Sequence, residues 1–254
     1  ADTIGGGLRT EALTLPGFRH DVCSAVHPAA LTSPVFRALG LDSGVSWLIP
    51  DASYAHPLDD GPAAIAWRDI ARTADDLGPD GRAWLATIRP LARHIDELVT
   101  FTGDQLIRMP RHPLTAIRYG LRVLEQGTAL GAGSFRTPRA AALLAGAMAH
   151  ANTWMPSLGS AAAGLLLTAQ AHAGGWPVPR CGAQTIADAL AADIRAHGGV
   201  IETGTRVTSL DGLDWGDPAA GDLLILDTSP RLLLTDSALP TRYAQAILRR
   251  YLYG

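Results

Sequence analysis

The fold class is decided by residues 184–210, which read QTIADALAADIRAHGGVIETGTRVTSL. The first half predicts a helix over 184–196, because apolar residues recur at every fourth position and form one helical face. These apolar residues are Ile186, Leu190 and Ile194. The paired glycines at 198–199 end the helix, since glycine is common just past a helix C-terminus.

Short apolar runs follow that helix and predict β-strands. They cover residues 200–203, 206–210 and 222–227, and the last is a nearly continuous apolar run typical of a strand covered on both faces. A helix followed by buried strands favours an α/β layer. We therefore expect an α/β fold.

The rest of the chain divides into two zones that differ in composition. Residues 5–67 are rich in glycine, proline and short apolar runs, which predicts short strands and loops. Residues 70–172 are rich in alanine, leucine and arginine, with apolar residues at helical spacing. This second zone is predicted to be mostly helical.

Composition excludes several classes of protein. With 254 residues, 47% of them hydrophobic and 18% charged, the chain can form one or two domains with a buried core and is not disordered. Every basic residue is arginine and the formal charge is −3, so we expect no nucleic-acid partner, which would favour a basic excess. Polar residues interrupt every long apolar stretch before the length of about 20 residues that a spanning helix needs, so we expect no transmembrane segment.

The cysteines and the start of the chain indicate its setting. Cys23 and Cys181 lie far apart without a neighbouring cysteine or a paired histidine, which predicts neither a disulfide nor a metal site. We therefore expect a reducing, cytoplasmic location. The chain starts at Ala1, close to a glycine-rich stretch and without methionine, and we expect it to be a piece of a longer protein.

Candidate motifs for chemistry compete with simpler explanations. The run Gly5-Gly6-Gly7-Leu8-Arg9-Thr10 offers backbone N–H groups and an arginine to an anion, although a flexible glycine run explains it as well. Residues 131–136 lack the preceding strand and the last glycine of a dinucleotide loop, so we interpret them as a connection between helices. The scattered histidines, including His27, His56 and His172, fit packing or surface roles, and no serine hydrolase motif occurs.

Four segments in a fixed order carry a family resemblance. They are Gly5 to Thr10, residues 17–21 (GFRHD), residues 175–182 (GWPVPRCG) and residues 198–207 (GGVIETGTRV). In that order they resemble segments of phytoene dehydrogenase-related FAD-dependent oxidoreductases, within the amine oxidase and phytoene desaturase group. The first resembles the second FAD motif of that family, and the second resembles its G-F-x-x-D segment. The third resembles the P-x-G-G turn before a helix, and the fourth resembles the strand that follows this helix. Cys181 stands in place of the first glycine of the turn, and the last segment is the most specific match.

The resemblance implies a bound FAD and names the residues that hold it. Its pyrophosphate would be contacted by the glycine-rich segment, in particular by Gly5, Gly6, Gly7, Arg9 and Thr10. Val207 would lie on a buried strand whose backbone meets the adenine. Residues 226–230 resemble the strand and loop that return toward the cofactor, which adds Asp227 and Thr228 to the site.

The fold implied by the resemblance is a discontinuous FAD/NAD(P)-binding-type domain with an inserted, largely helical substrate domain. The first domain would comprise residues 1–15 and 174–230, and the second residues 16–173 and 231–254. The family's βαβ unit with G-x-G-x-x-G does not occur in this sequence. The FAD-binding-type domain is therefore expected to be incomplete, and a further chain or missing segments would complete the flavin site.

The function implied by the resemblance is that of a FAD-dependent oxidoreductase, of the desaturase or dehydrogenase kind, acting on a small apolar substrate. The flavin supplies the chemistry in such enzymes, and no catalytic acid or base can be singled out. Glu125 is the only carboxylate between Leu121 and Pro179, which favours an apolar substrate over a cationic amine. Two alternatives stay open, a flavin-dependent isomerase or mutase and a non-catalytic interaction module with a FAD-type fold.

Overall fold

The computed structural model describes residues 1–59, 61–104, 108–211, 213–237 and 239–251, without the side chains of Asp42, Ser43 and Pro218. The chain divides into two compact units. The larger comprises Ile4–Ile201, and the smaller comprises Ala1–Thr3 with Glu202–Gly254. The division into a FAD-binding-type and a substrate domain stays a prediction, and residues 252–254 of the latter lie outside the described residues.

The larger unit consists of helices and small antiparallel sheets. Its α-helices are α1 (Pro34–Ala38), α2 (Leu41–Gly44), α3 (Ile70–Leu77), α4 (Gly81–Arg93), α5 (Ile95–Gly103), α6 (Pro113–Gln126), α7 (Pro138–Met148), α8 (Leu158–Ala173) and α9 (Gln184–Ala196). Its strand pairs are β1 (Thr10–Glu11) with β2 (His20–Asp21), β3 (Trp47–Leu48) with β6 (Val178–Pro179), and β4 (Ala52–His56) with β5 (Ala64–Trp67). The helical zone and the helix over 184–196 are confirmed, and the mixture of helices and small sheets is compatible with the predicted α/β class.

Helix α8 lies at the centre of the larger unit. It packs against α4, α6 and α7, and much of its length is buried because small residues line it. A Cβ atom added to Gly164 would lie 2.4 Å from Cγ of Met148, so α7 approaches as closely as glycine permits. Ser157 and Ser160 form a reciprocal capping box that satisfies backbone groups at its N-terminus.

A buried carboxylate fixes the start of α7. Asp80 is only 1% exposed and accepts hydrogen bonds from the Arg136 and Thr137 N–H groups, both at 2.7 Å, and from the Thr137 hydroxyl at 2.6 Å. Burial alone would raise the pKa of Asp80, but these hydrogen bonds and the charge of Arg136 outweigh it and lower the pKa. The ionised side chain therefore holds the residues before α7 against the start of α4.

A tryptophan and a histidine join α4 to the last turn of α8. The indole N–H of Trp84 donates to Nε2 of His172 at 3.1 Å, and Trp84 is fully buried. Burial lowers the pKa of His172 to about 4, against smaller opposing effects of the Trp67 and Arg68 backbone and the Asp69 charge. His172 is therefore neutral at pH 7, which leaves Nε2 free to accept.

The smaller unit contains one α-helix among its described residues, α10 (Thr241–Arg250), together with 3₁₀ turns at Pro218–Ala220 and Pro230–Thr235. Side chains connect its irregular segments. The Leu210 N–H donates to the Thr235 hydroxyl at 3.1 Å, and the Ser237 N–H donates to the Asp211 carboxylate at 2.9 Å. In the described part of this unit, hydrogen bonds between segments distant in sequence, rather than a sheet, therefore connect the chain.

The strands predicted over 200–203, 206–210 and 222–227 are not formed, so this prediction is wrong. Leu223 and Ile225 are 85% and 86% exposed instead of covered. A strand is stable only when a neighbouring strand satisfies its N–H and C=O groups. The described part of the smaller unit contains no strand that could pair with these runs.

Within the described residues, no helix combines the length and the apolar character that crossing a lipid bilayer requires.

Replacing His172 by Gln tests the coupling of stability to pH. Folding lowers the pKa of His172 from 6.5 to about 4, so between these values the unfolded chain binds more protons and stability falls with falling pH. This group should remove on the order of 3 kcal/mol from the unfolding free energy as the pH falls through that window. His172→Gln keeps a carbonyl acceptor for Trp84 but does not titrate. Its unfolding free energy should therefore fall less steeply than that of the wild type as the pH falls.

Urea unfolding at several pH values across this window measures the effect. His197→Gln is the control for the substitution itself, because the side chain of His197 is 78% exposed. Identical pH dependence in wild type and His172→Gln would contradict the assignment.

Candidate functional site

The strongest candidate for ligand binding is the glycine-rich turn, residues Gly5 to Arg9. Gly5 and Gly6 have φ angles of 110° and 52°, a region that glycine enters without steric cost. The turn closes when the Leu8 N–H donates to the Gly5 carbonyl at 2.8 Å. Across the described ranges, the N–H groups of Gly5, Gly6 and Gly7 meet no acceptor, so three successive donors are available to a ligand.

Arg9 lies beside these donors. Its Nε donates to the Gly6 carbonyl at 3.1 Å, and its guanidinium pairs with Glu11 at 3.3 Å. Both side chains are more than 40% exposed, so the pair contributes little and an anionic ligand can compete for the guanidinium. The turn therefore presents an arginine and backbone donors together, which is the donor set that a phosphate group accepts.

Strand β1 connects the glycine-rich turn to α9 through four groups, which we call the Thr10–Asp21 clamp. Strands β1 and β2 pair with Thr10 opposite Asp21, and the Thr10 hydroxyl donates to the Asp21 carboxylate at 2.6 Å. The Ala183 N–H donates to the same carboxylate at 2.8 Å, and the Gln184 N–H donates to the Thr10 hydroxyl at 3.0 Å. Residues from the start of the chain thus cap a helix that begins more than 170 positions later.

The chain passes very close to itself at the clamp. A Cβ atom on Gly182 would lie 2.4 Å from the Thr10 side chain, and one on Gly5 would lie 2.7 Å from Oε1 of Gln184. Gly182 has φ of 100° and Cys181 has φ of 71°. Position 181, where the resemblance expects glycine, therefore does adopt the left-handed backbone that glycine favours, although it is a cysteine.

The remaining predicted site residues belong to the smaller unit. Val207 is 42% exposed and lies outside any strand, which corrects the expectation that it sits on a buried strand. Asp227 and Thr228 are exposed and lie in an irregular segment before the 3₁₀ turn at Pro230–Thr235. The structure therefore brings together Gly5, Gly6, Gly7, Arg9 and Thr10, and the roles of the other three stay predictions.

Sequence reasoning assigned no role to Asp21, Ala183 or Gln184, although these residues hold the turn in place. The signal was present, because Asp21 is the last residue of the GFRHD segment at 17–21. An acidic residue at the end of a short strand can accept hydrogen bonds from a helix N-terminus, but the sequence does not say which helix. That information came only from the approach of α9.

Three half-buried histidines of the described structure pack within the larger unit. His27, His56 and His172 each carry a buried ring nitrogen without a hydrogen-bond partner among the described residues. Burial lowers the pKa of His27, although the charge of Asp21 and a hydrogen bond with the Ser24 backbone act to raise it. Burial and the nearby His150 both lower the pKa of His56. Neutral, packed imidazoles agree with the packing roles expected for them. The described residues also contain no group of three or more side chains suited to a metal ion.

Replacing Thr10 by Val tests the clamp. Valine has a similar shape but cannot accept from the Gln184 N–H or donate to Asp21, so the unfolding free energy should fall by about 1–3 kcal/mol. Thr10→Ser keeps the hydroxyl and is the matched control, with a loss below about 1 kcal/mol. Urea unfolding gives the free energies, and hydrogen exchange of the Gln184 amide reports the local bond. Equal exchange rates in the two variants would refute the clamp.

Comparisons with known proteins add no family to this picture. No family model matches the chain, and a search of curated proteins finds no significant match. The resemblance to FAD-dependent oxidoreductases therefore rests on the quoted motifs, and the function that it implies is a proposal.

Proposed function

We propose that this chain belongs to a FAD-dependent oxidoreductase that moves hydrogen between a small apolar substrate and the flavin. The observation that supports this proposal is the glycine-rich turn, where three glycine N–H groups that meet no acceptor among the described residues lie beside the guanidinium of Arg9. These residues form the segment that resembles the second FAD motif. When bound, the flavin supplies the redox chemistry, and the protein supplies position and electrostatics.

The chemistry of the turn suits the diphosphate of FAD. Glycine leaves the backbone N–H groups open to close approach, and the diphosphate carries oxygens on two adjacent phosphorus atoms. Arg9 would donate to one phosphoryl oxygen and give up Glu11, at little cost because both side chains are well exposed. Thr10 would act indirectly, since its hydroxyl is engaged by Asp21 and Gln184 and keeps the turn beside α9.

The N-terminus of α9 does not serve the diphosphate in this proposal. Its first donors are taken by Asp21 and Thr10, so the helix dipole is already met by a carboxylate of the protein. The chain also lacks G-x-G-x-x-G, the usual second source of donors. A further chain or segment would therefore complete the diphosphate site, as the resemblance also implies.

The expectation of an apolar substrate rests on the scarcity of carboxylates rather than on the tryptophans. Trp84 is fully buried and Trp176 is 7% exposed, so ordinary core packing accounts for both. Trp154 is 90% exposed and has no such explanation. Glu125 pairs with Arg122 and is not available as the counter-ion that an amine would favour.

A non-catalytic interaction module is the second candidate. It is favoured by the exposed apolar side chains of Leu223 and Ile225, because alternating exposed residues on an unpaired apolar run suit pairing with another strand. A visible spectrum of the full-length protein, purified with the chain or segment that completes the diphosphate site, separates the two candidates. Flavin absorption bands support the oxidoreductase, and their absence, together with no saturable FAD binding, supports the module.

The variant Arg9→Ala tests the role of the glycine-rich turn. Loss of a charge-assisted hydrogen bond should weaken FAD binding by about 1.5–3 kcal/mol, which is roughly a tenfold to hundredfold higher Kd. Flavin fluorescence quenching on titration of the full-length protein with FAD measures the Kd. Arg19→Ala is the matched control, because Arg19 is exposed and lies outside the turn, and it should leave the Kd unchanged. Unchanged FAD affinity in Arg9→Ala would overturn the assignment.

The substrate class is tested by anaerobic reduction of the bound flavin. We expect lipid-like apolar compounds to bleach the flavin absorption, because burial of apolar surface, at about 25 cal/mol per Å², can supply their affinity without a counter-ion. Polyamines and arylalkylamines should leave the flavin oxidised. Bleaching by the amines, with no response to any compound of a matched apolar panel, would reverse this ranking.

A further inference from the structure

Five arginines converge on one cavity between α4 and α6, far in sequence from the glycine-rich turn. The cavity has a volume of about 800 Å³, within the range of small-molecule sites. The arginines are Arg82, Arg89 and Arg93 on α4 and Arg118 and Arg122 on α6. Glu125 is the only carboxylate in the lining, so the cavity is strongly cationic in a chain whose formal charge is −3.

Helical spacing explains how the charges come to one side. Positions 82, 89 and 93 are separated by seven and four residues, and positions 118, 122 and 125 by four and three, so each set lies on one face of its helix. The opposite faces carry core residues, including Trp84 and Ile88. Helix α4 contains no carboxylate, so its arginines lack the (i, i+4) partners that a solvated helix face usually provides.

Four of these guanidinium groups are available to a ligand. Within the described residues, the side chains of Arg82, Arg89, Arg93 and Arg118 form no ion pair and no hydrogen bond. His94 also lines the cavity, but its ring is engaged by Glu97 at 3.2 Å. Repulsion among like charges on facing walls opposes this arrangement, and a multivalent anion would remove it.

The fifth arginine is fixed by a break in the α4 hydrogen-bond ladder. Pro90 has no N–H, so the Ala86 carbonyl lacks its usual helical donor. The guanidinium of Arg122 supplies that donor at 3.2 Å and also pairs with Glu125. The two walls of the cavity are thus joined by a hydrogen bond that holds one guanidinium in place.

We propose that this cavity binds a small soluble organic phosphate that carries at least two phosphoryl groups and an apolar part. The planar guanidinium matches two oxygens of a phosphoryl group, and the four guanidiniums that pair with no described residue exceed what a single carboxylate can neutralise. Leu85 and the 61% exposed Leu121 lie among the arginines and offer apolar surface to the rest of the ligand. The proposal does not rest on FAD, since it uses no residue of the glycine-rich turn.

Calorimetric titration of the chain with inorganic pyrophosphate tests the charged part. We expect saturable binding, weakened at least about a hundredfold in the double variant Arg89→Gln/Arg118→Gln, because each lost charge-assisted bond is worth about tenfold or more. Arg195→Gln/Arg206→Gln changes the net charge equally at exposed positions outside the cavity and should change the affinity less than about threefold. Arg9→Ala should leave the pyrophosphate binding that depends on Arg89 and Arg118 unchanged, which separates this cavity from the glycine-rich turn.

A second titration with hexyl diphosphate tests the apolar part. It should bind more tightly than pyrophosphate, and this gain should disappear in Leu121→Ser. Leu124→Ser is the matched control, because Leu124 is 50% exposed on the same helix but does not line the cavity.

If the double variant Arg89→Gln/Arg118→Gln unfolds, the single variant Arg118→Gln, at an exposed position, replaces it in the pyrophosphate titration.

Four results would overturn the proposal. They are the absence of saturable pyrophosphate binding, an equal loss in the two double variants, a dominant loss in Arg9→Ala, and hexyl diphosphate affinity no higher than that of pyrophosphate. Either of the first two results would show that the arginines form an ordinary solvated surface and not a ligand site. The third would move the bound anion to the glycine-rich turn, and the fourth would remove the apolar part of the ligand.

Discussion

The close approach of neighbouring helices to α8 sets the geometry of the larger unit. Small buried side chains on α8, with Gly164 against Met148, leave no room for a larger residue at the contact with α7. Because α4 and α6 both rest on this helix, their positions relative to each other are fixed by core packing rather than by their own charged faces. The cationic cavity between them therefore persists despite repulsion among its arginines. Packing of α4 and α6 on α8 stabilises the larger unit, so the solvent-facing sides of α4 and α6 can carry arginines that repel each other.

The Thr10–Asp21 clamp plays a corresponding role at the candidate site. A helix N-terminus attracts an anion, and at α9 the anion is Asp21 itself. This arrangement gives α9 a permanent cap and attaches the first strand to it, but it removes that N-terminus from the groups available to a ligand. The three glycine N–H groups of the turn meet no acceptor in the described part of the chain, so stability and ligand binding use different N–H groups of neighbouring segments.

The two places that attract anions differ in kind. The glycine-rich turn offers backbone dipoles and one half-exposed arginine, which suits close contact with a single diphosphate. The cavity between α4 and α6 offers several full charges on flexible side chains around an apolar wall, which suits a bulkier anion. Their residues do not overlap, so variants at one site leave the other unchanged and each proposal can be tested separately.

The sequence by itself determined the features that depend on local periodicity. The spacing of Ile186, Leu190 and Ile194 predicted α9, and the apolar and alanine-rich pattern of residues 70–172 predicted the helical zone, because helical hydrogen bonds join residues four apart. The same reasoning failed for the strands predicted over 200–203, 206–210 and 222–227, which are not formed, since an apolar run becomes a strand only beside a partner. The glycine-rich turn was predicted as a site from its composition, but its attachment to Asp21 and Gln184 depends on contacts across more than 160 residues. The arginine stripes on α4 and α6 are likewise readable in the sequence, whereas only tertiary packing decided that the two stripes face one cavity.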